Sequence, residues 1–336
     1  MRMKANWWAK RIMAASMGMV MLFTGNTVAG KGPDSNQTET IARVETTPTT
    51  EVPPETAPTP TQSWENPKVY AERAVSADGR QLFVYDVSDG AMRFCAGEET
   101  ERLYPASITK LWSALVALMY LDPEDVAQAG SELKLVQQGS SRAYIARGSR
   151  LTVEMLVEGM LIPSGNDAAY VLAAAAGRVI GENPDLEGTE AVAVFLEEMN
   201  RMGQEIGMVN SHFVNPDGYH AEDHYMCPKD VALVGALAVE NPVILRYAGR
   251  QQDSVTFQSG EHIAWYNTNH LINPESPYFV PEAVGLKTGY TDEAGHCLLG
   301  AFRTEERTVL VGIFGAEKPY QRYADARDLY RIAVGD

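Results

Sequence analysis

The chain has 336 residues, 45% hydrophobic and 21% charged, with a formal net charge of −16. That balance belongs to a globular protein rather than to a disordered or fibrous one. Acid is in excess and no dense Lys/Arg cluster occurs anywhere, which argues against a polyanion partner, so no nucleic acid is expected.

The first thirty residues stand apart. Arg2, Lys4, Lys10 and Arg11 form a basic stretch, Ile12 to Phe23 is apolar and uncharged, and Thr27-Val28-Ala29 supplies small residues. This order is that of a secretory signal, and the apolar run is shorter than the roughly 20 residues a spanning helix needs. Residues 1–30 therefore read as a signal peptide or, with Trp7 and Trp8 at an interface, an N-terminal anchor. Residues 31–67 are rich in Thr, Pro and Glu, with no apolar period. Such a stretch cannot offset its ordering entropy by burial and reads as a disordered linker. Residues 68–336 are the globular domain. The expected location is extracytoplasmic, with any membrane attachment N-terminal.

Within the domain, Gln81 to Val87 and Ala91 to Phe94, separated by Asp89-Gly90, predict a β-hairpin. Helices are predicted over Ser107–Leu121, Thr152–Leu161, Asp167–Ile180 and Ala191–Ile206, and a closing helix over Tyr320–Val334. Strands are predicted at Val284–Thr288, His296–Arg303 and Thr308–Phe314. Strands at both ends with helices between them give an α+β class. The three cysteines, Cys95, Cys227 and Cys297, show no C-x-x-C spacing and read as buried thiols or one adventitious bridge. No metal or cofactor motif is present, and none is expected to be needed.

Three short motifs occur in order: Ser107-Ile108-Thr109-Lys110, Ser164-Gly165-Asn166 and Lys287-Thr288-Gly289. A serine hydroxyl is a poor nucleophile without a base in reach, and residues three apart share a helix face, so Lys110 can serve Ser107. Its lysine must lose its proton readily, which the apolar neighbours Leu111, Trp112 and Leu115, with Lys287 as a second cation, would promote. Ser164 is placed to relay a proton, and Asn166 to bond Lys110 and a substrate amide. Lys287 and Thr288 are suited to a terminal carboxylate, Gly289 to close approach of a substrate backbone at a strand edge. The N–H of Tyr290 with that of Ser107 would form an oxyanion hole. A second S-x-x-K, Ser131 to Lys134, has no apolar helix behind it and reads as a surface strand or loop.

This motif set resembles that of β-lactamases and penicillin-binding proteins. Together with Gly148 to Val153, Met199-Asn200, Asn215 to Gly218, His224-Tyr225, Asn267 to Asn269, Gly285 to Thr291 and Ala294 to Leu298, it is most similar to the low-molecular-mass D-Ala-D-Ala carboxypeptidases. The resemblance implies a β-lactamase/transpeptidase-like fold, an antiparallel sheet flanked by helices with a mainly helical subdomain. It implies an acyl-enzyme on Ser107, with Lys110, Ser164 and Asn166 as catalytic partners and Lys287, Thr288, Gly289 and Tyr290 binding substrate. The implied partners are the D-Ala-D-Ala terminus of a peptidoglycan stem peptide and β-lactams that acylate the same serine. Met226-Cys227-Pro228 departs from the family pattern, and the family's additional C-terminal β-rich domain and amphipathic helix are not expected here. The competing readings are a β-lactamase, a D,D-endopeptidase and a penicillin-binding sensor. A zinc site on His220 and His224 lacks the H-E-x-x-H glutamate.

Overall fold

A computed structural model describes residues 81–335. The expected leader and linker, residues 1–30 and 31–67, lie outside the described residues. The chain enters through the hairpin of β1 (Leu82–Asp86) and β2 (Ala91–Cys95). Its turn uses the left-handed φ of +65° at Gly90, and the Asp86 carboxylate accepts the Ser88 N–H. A 3₁₀ turn at Ala106–Ile108 runs directly into α1 (Thr109–Tyr120). After β3 (Val126–Gln128) and a 3₁₀ turn at Ser131–Leu135 come β4 (Arg150–Thr152), α2 (Val153–Leu161), α3 (Asn166–Ile180) and α4 (Gly188–Glu205). Two helices, α5 (Pro228–Glu240) and α6 (Pro242–Ala248), precede the hairpin of β5 (Gln252–Thr256) and β6 (His262–Tyr266). Three long strands, β7 (Ala283–Thr291), β8 (Gly295–Arg303) and β9 (Thr308–Ala316), lead to the closing helix α7 (Gln321–Val334).

Among the described residues the main sheet has five strands in the order β2-β1-β9-β8-β7, and every pairing is antiparallel. The first and last described strands meet because β1 pairs with β9. The expected α+β class, an antiparallel sheet flanked by helices, is the one observed. Alternate strand residues face opposite sides, and both sides are covered. Leu82 and Val84 of β1, Leu298 and Phe302 of β8, and Val309, Val311 and Ile313 of β9 pack with Tyr323, Leu329 and Tyr330 of α7. Phe83, Leu299, Ala301, Leu310 and Phe314 join the larger core under the helices. Burial on both faces explains why β8 and β9 are nearly continuous apolar runs.

Helix α1 is buried on all sides, from Thr109 through Ala117, which accounts for its lack of a polar face. It is the axis on which the helical part is built, and it carries Lys110 in its first turn. Edge strand β7 packs on the 3₁₀ turn that leads into it, so the fold sets the third motif against the first.

The region between residues 228 and 266 is unassigned by the sequence reading. Pro228 stands at the start of α5 and Pro242 at the start of α6, where Asn241 Oδ1 caps Val243 N–H and Ile244 N–H. Met226 and Cys227 are buried; Met226 bridges to Leu103 ahead of the first motif. The departure at Met226-Cys227-Pro228 thus forms a helix start packed in the core. No disulfide joins any two of the three cysteines. The second S-x-x-K is a 3₁₀ turn rather than a strand, with Glu132 buried and Lys134 exposed. Its Ser131 Oγ accepts the Gly188 N–H at the start of α4 at 3.1 Å.

Candidate active site

Lys110 is completely buried, and its Nζ makes three contacts: Ser107 Oγ at 2.7 Å, Asn166 Oδ1 at 2.8 Å and the Asp217 carbonyl at 2.7 Å. Two of these partners can only accept. A neutral amine has two N–H bonds, which Asn166 Oδ1 and the Asp217 carbonyl take up, and its lone pair is left facing Ser107 Oγ. A protonated amine directs its third N–H at that oxygen instead. The geometry therefore makes Ser107 the one partner whose bond reverses when Lys110 loses its proton. Burial lowers the Lys110 pKa to about 8, opposed by the carboxylates of Asp217 and Asp167. An amine with that pKa is neutral in a minor but appreciable fraction of molecules near physiological pH, far more than an ordinary lysine, which suits a general base.

The second motif closes the other side. Ser164 has φ +63°, a left-handed conformation that a non-glycine residue holds only under local constraint. Asn166 opens α3, and its N–H donates to the Ser141 carbonyl at 2.9 Å. Gly165 has a steric reason. A Cβ there would lie 2.6 Å from Ala143 Cβ and 2.7 Å from Ala143 N, so the loop before β4 seats only over a glycine. We expect Gly165→Ala to displace that loop at a cost of about 1–3 kcal/mol. Thermal denaturation should show this as a fall in Tm of several degrees.

On β7, Leu286 has φ +78° next to Gly285 at +107°, an irregularity that turns the strand just before Lys287. Lys287 is only 1% exposed, and its Nζ donates to the Thr288 carbonyl at 3.0 Å. Burial, followed by the charges of Lys110 and Arg322, pushes its pKa well below the ordinary lysine range. It is thus buried near the charges of Lys110 and Arg322. Thr288 Oγ1 is hydrogen-bonded to Thr268 Oγ1. Gly289 lets the protein approach itself: a Cβ would come within 2.9 Å of Ala106 Cβ and 3.0 Å of Ser107 N. The close approach expected of a substrate backbone is thus already made by the nucleophile's own turn.

These residues surround a cleft of about 440 Å³ whose walls include Ser107, Ser164, Asn166, Thr288, Gly289 and Tyr290. The cation in its wall is Arg322 of α7. Its Nη1 donates to the carbonyls of Gly289 at 2.9 Å and Cys297 at 3.1 Å, and its Nη2 to Tyr323 Oη at 3.0 Å. Sequence reading gave Arg322 no role, since nothing in the closing helix marks it; Thr268 was noted there only as part of the Asn267 to Asn269 match. A larger hollow of about 760 Å³, between Leu121, Gly130 and Leu186, contains none of the motif residues. Chemistry rather than size selects the cleft.

The histidines do other work. His224 Nδ1 accepts the Val214 N–H, and Nε2 donates to Thr109 Oγ1 at 2.8 Å, so neither ring nitrogen is left for a metal. Burial holds its pKa down to about 3, and it is a neutral brace between the Asn215 to Gly218 loop and α1. Glu158 is buried on α2 and is absent from the cleft walls.

The family model described as D-alanyl-D-alanine carboxypeptidase matches residues 69–318. Among curated relatives, the D-alanyl-D-alanine carboxypeptidase DacF of Bacillus subtilis is 29% identical over 236 residues, covering 69% of this chain and 56% of the relative. The D-alanyl-D-alanine carboxypeptidase of Streptomyces sp. strain K15 is 28% identical over 232 residues, covering 66% of this chain and 75% of the relative. The chain thus spans less than two thirds of the DacF length. The crystal structure of the Streptomyces K15 DD-transpeptidase superposes with a TM-score of 0.67 at 24% identity, covering 77% of this chain and 97% of that one. DacD from Francisella tularensis superposes at 0.65, again at 24% identity, covering 76% and 70%. These two share the fold.

Proposed function

Because the chain belongs to the D-alanyl-D-alanine carboxypeptidase family, we propose that it removes the terminal D-alanine from peptidoglycan stem peptides through an acyl-enzyme on Ser107. One observation carries the mechanism: Lys110 Nζ has two obligate acceptors and a third contact, Ser107 Oγ at 2.7 Å, toward which its lone pair is left.

Neutral Lys110 takes the Ser107 proton as Oγ attacks the carbonyl before the terminal D-alanine. The N–H groups of Ser107 and Tyr290 receive the developing oxyanion, an arrangement supported by the close seating of Gly289 on Ser107 N. When the C–N bond breaks, the proton passes from Lys110 by way of the Ser164 hydroxyl to the departing amine. Water then adds to the ester, giving its proton back through Lys110 to Ser107. The Asn166 carboxamide, whose Oδ1 is taken by Lys110, offers its N–H groups to the acyl-side carbonyl. A β-lactam would enter the first half of the same sequence and stop at the ester.

Thr288 and Arg322 hold the terminal carboxylate, with the buried Lys287 next to Thr288. Arginine keeps its charge regardless of burial, whereas buried lysine does not. Arg322→Ala should lower kcat/KM for a carboxylate-ended peptide by roughly tenfold or more. It should also erase the preference for the acid over the C-terminal amide, the readout that separates carboxylate binding from a bracing role on Gly289.

The substrate lies outside the cytoplasm, and the basic then apolar run of residues 2–23 supplies the export signal this reading requires. Residues 31–67 would hold the domain away from an N-terminal attachment.

The direct test is free D-alanine from a diacylated L-Lys-D-Ala-D-Ala peptide, assayed beside a fluorescent penicillin. Release of D-alanine with a persistent penicillin adduct is the expected result. Rapid penicillin turnover without D-alanine would replace this reading with a β-lactamase. A stable adduct without D-alanine would replace it with a sensor or an endopeptidase.

A further inference from the structure

Among the described residues, Ala106, Tyr144, Ser164, Glu182 and Leu286 are the non-glycine residues with positive φ. Ala106 directly precedes the nucleophile, Ser164 heads the second motif, and Leu286 directly precedes Lys287. Strained backbone concentrates at functional sites because only over-determined surroundings hold it. Tyr144, at φ +61°, belongs to none of the three motifs, yet it shares their constraint and their neighbourhood.

Its backbone is tied on both sides. The buried Asp167, next to Asn166, accepts the Ala143 N–H on Oδ1 at 2.7 Å and the Ile145 N–H on Oδ2 at 3.0 Å. Trp265 Nε1 donates to the Ala143 carbonyl at 3.1 Å, and Ala143 lies over Gly165. Ser140 and Ser141, just before it, are in the cleft wall. The residues flanking Tyr144 are thus held fast, while the Tyr144 side chain itself is 75% exposed. A folding role would bury the ring; here the structure instead holds a left-handed backbone in order to present it.

Building on the function proposed above, we infer that Tyr144 is a specificity-determining residue that packs against the long side chain of the residue preceding D-Ala-D-Ala. A peptide lying along the β7 edge has the 138–141 wall on its other side, and the exposed Tyr144 follows that wall by three residues. An aromatic face suits an aliphatic stem ending in an ammonium. The charged walls of the cleft other than Arg322 are Asp292 and Glu293, which repel an anionic side chain and tolerate a cationic one.

The test compares Nα-acetyl-L-Lys-D-Ala-D-Ala, whose ε-amine is free, with acetyl-L-Ala-D-Ala-D-Ala. The full chain is used as wild type, Tyr144→Ala, Tyr144→Gly and Tyr144→Phe. The ratio of kcat/KM for the Lys peptide over the Ala peptide is expected to fall roughly three- to tenfold in the Ala and Gly variants and to be kept by Phe. Tyr144→Gly is expected to hold or raise Tm, because glycine adopts this φ without strain, which a structural role for the ring would not allow. An unchanged ratio in Tyr144→Gly, or a fall in Tm with equal losses on both peptides, would overturn the inference and leave the carboxypeptidase reading intact. Failure of the wild type to release D-alanine from either peptide would overturn both.

Discussion

Ser107→Ala is expected to lower D-alanine release by at least about 10⁴-fold, the scale of losing a nucleophile, and to abolish covalent penicillin labelling. The reason is positional. Ser107 sits in the 3₁₀ turn ahead of α1, one helical turn from a buried amine that has no other reversible partner. The control is Ser131→Ala in the second S-x-x-K, which should leave both activities within roughly twofold. Ser131 Oγ accepts the N–H that starts α4, so its loss should be felt as about 1 kcal/mol of stability. Retained labelling in Ser107→Ala, measured by gel fluorescence, would remove Ser107 from the role of nucleophile.

Lys110→Ala is the second large effect, expected at about 10²- to 10⁴-fold in the acylation rate, the range for a lost general base. It carries a pH signature. Because Lys110 acts when neutral and burial lowers its pKa to about 8, acylation should rise with pH through about 8 and level off above it. The variant should lose that limb. The same shift acts on stability with a definite sign. Between about 8 and the ordinary value of 10.5, the unfolded chain binds the proton and the folded one does not, so stability gained from this group rises with pH across that window. Below it both states are protonated and the burial cost is constant. Stopped-flow acylation by a chromogenic cephalosporin across pH reads the catalytic limb directly. A pH-independent rate in the wild type would detach Lys110 from the base role.

The three motifs were legible because each couples a residue type to a position that a sequence displays: a serine three before a lysine at the head of an apolar helix, a turn between two helices, a Lys-Thr-Gly on a strand. The α+β class was legible from strands at both ends of the domain with helices between them, whereas the antiparallel sheet was legible only through the family resemblance, because strand order does not fix pairing. Arg322 was not, because an arginine in an amphipathic helix looks like any solvated one until α7 is laid on the sheet and its guanidinium passes between the Gly289 and Cys297 carbonyls. The steric need for Gly165 and Gly289 was hidden for the same reason, as the atoms that would collide come from Ala143 and from the Ala106 turn. Lys287 reads as a cation for the substrate, and the structure adds that it is buried, with its Nζ bonded to the Thr288 carbonyl. Helices α5 and α6 did leave a local trace, Pro228 and the Asn241-Pro242 pair, which is the helix-start chemistry of a proline in the first turn and an asparagine cap.

The most direct measurement is peptide mapping of the trapped acyl-enzyme. The protein is incubated with benzylpenicillin, acid-quenched and digested with trypsin, which cuts after Arg102 and Lys110 and separates Ser107 from Ser131. The adduct is expected on the Leu103–Lys110 peptide, at Ser107. An adduct on the Leu111–Lys134 peptide, or none on either, would contradict the account.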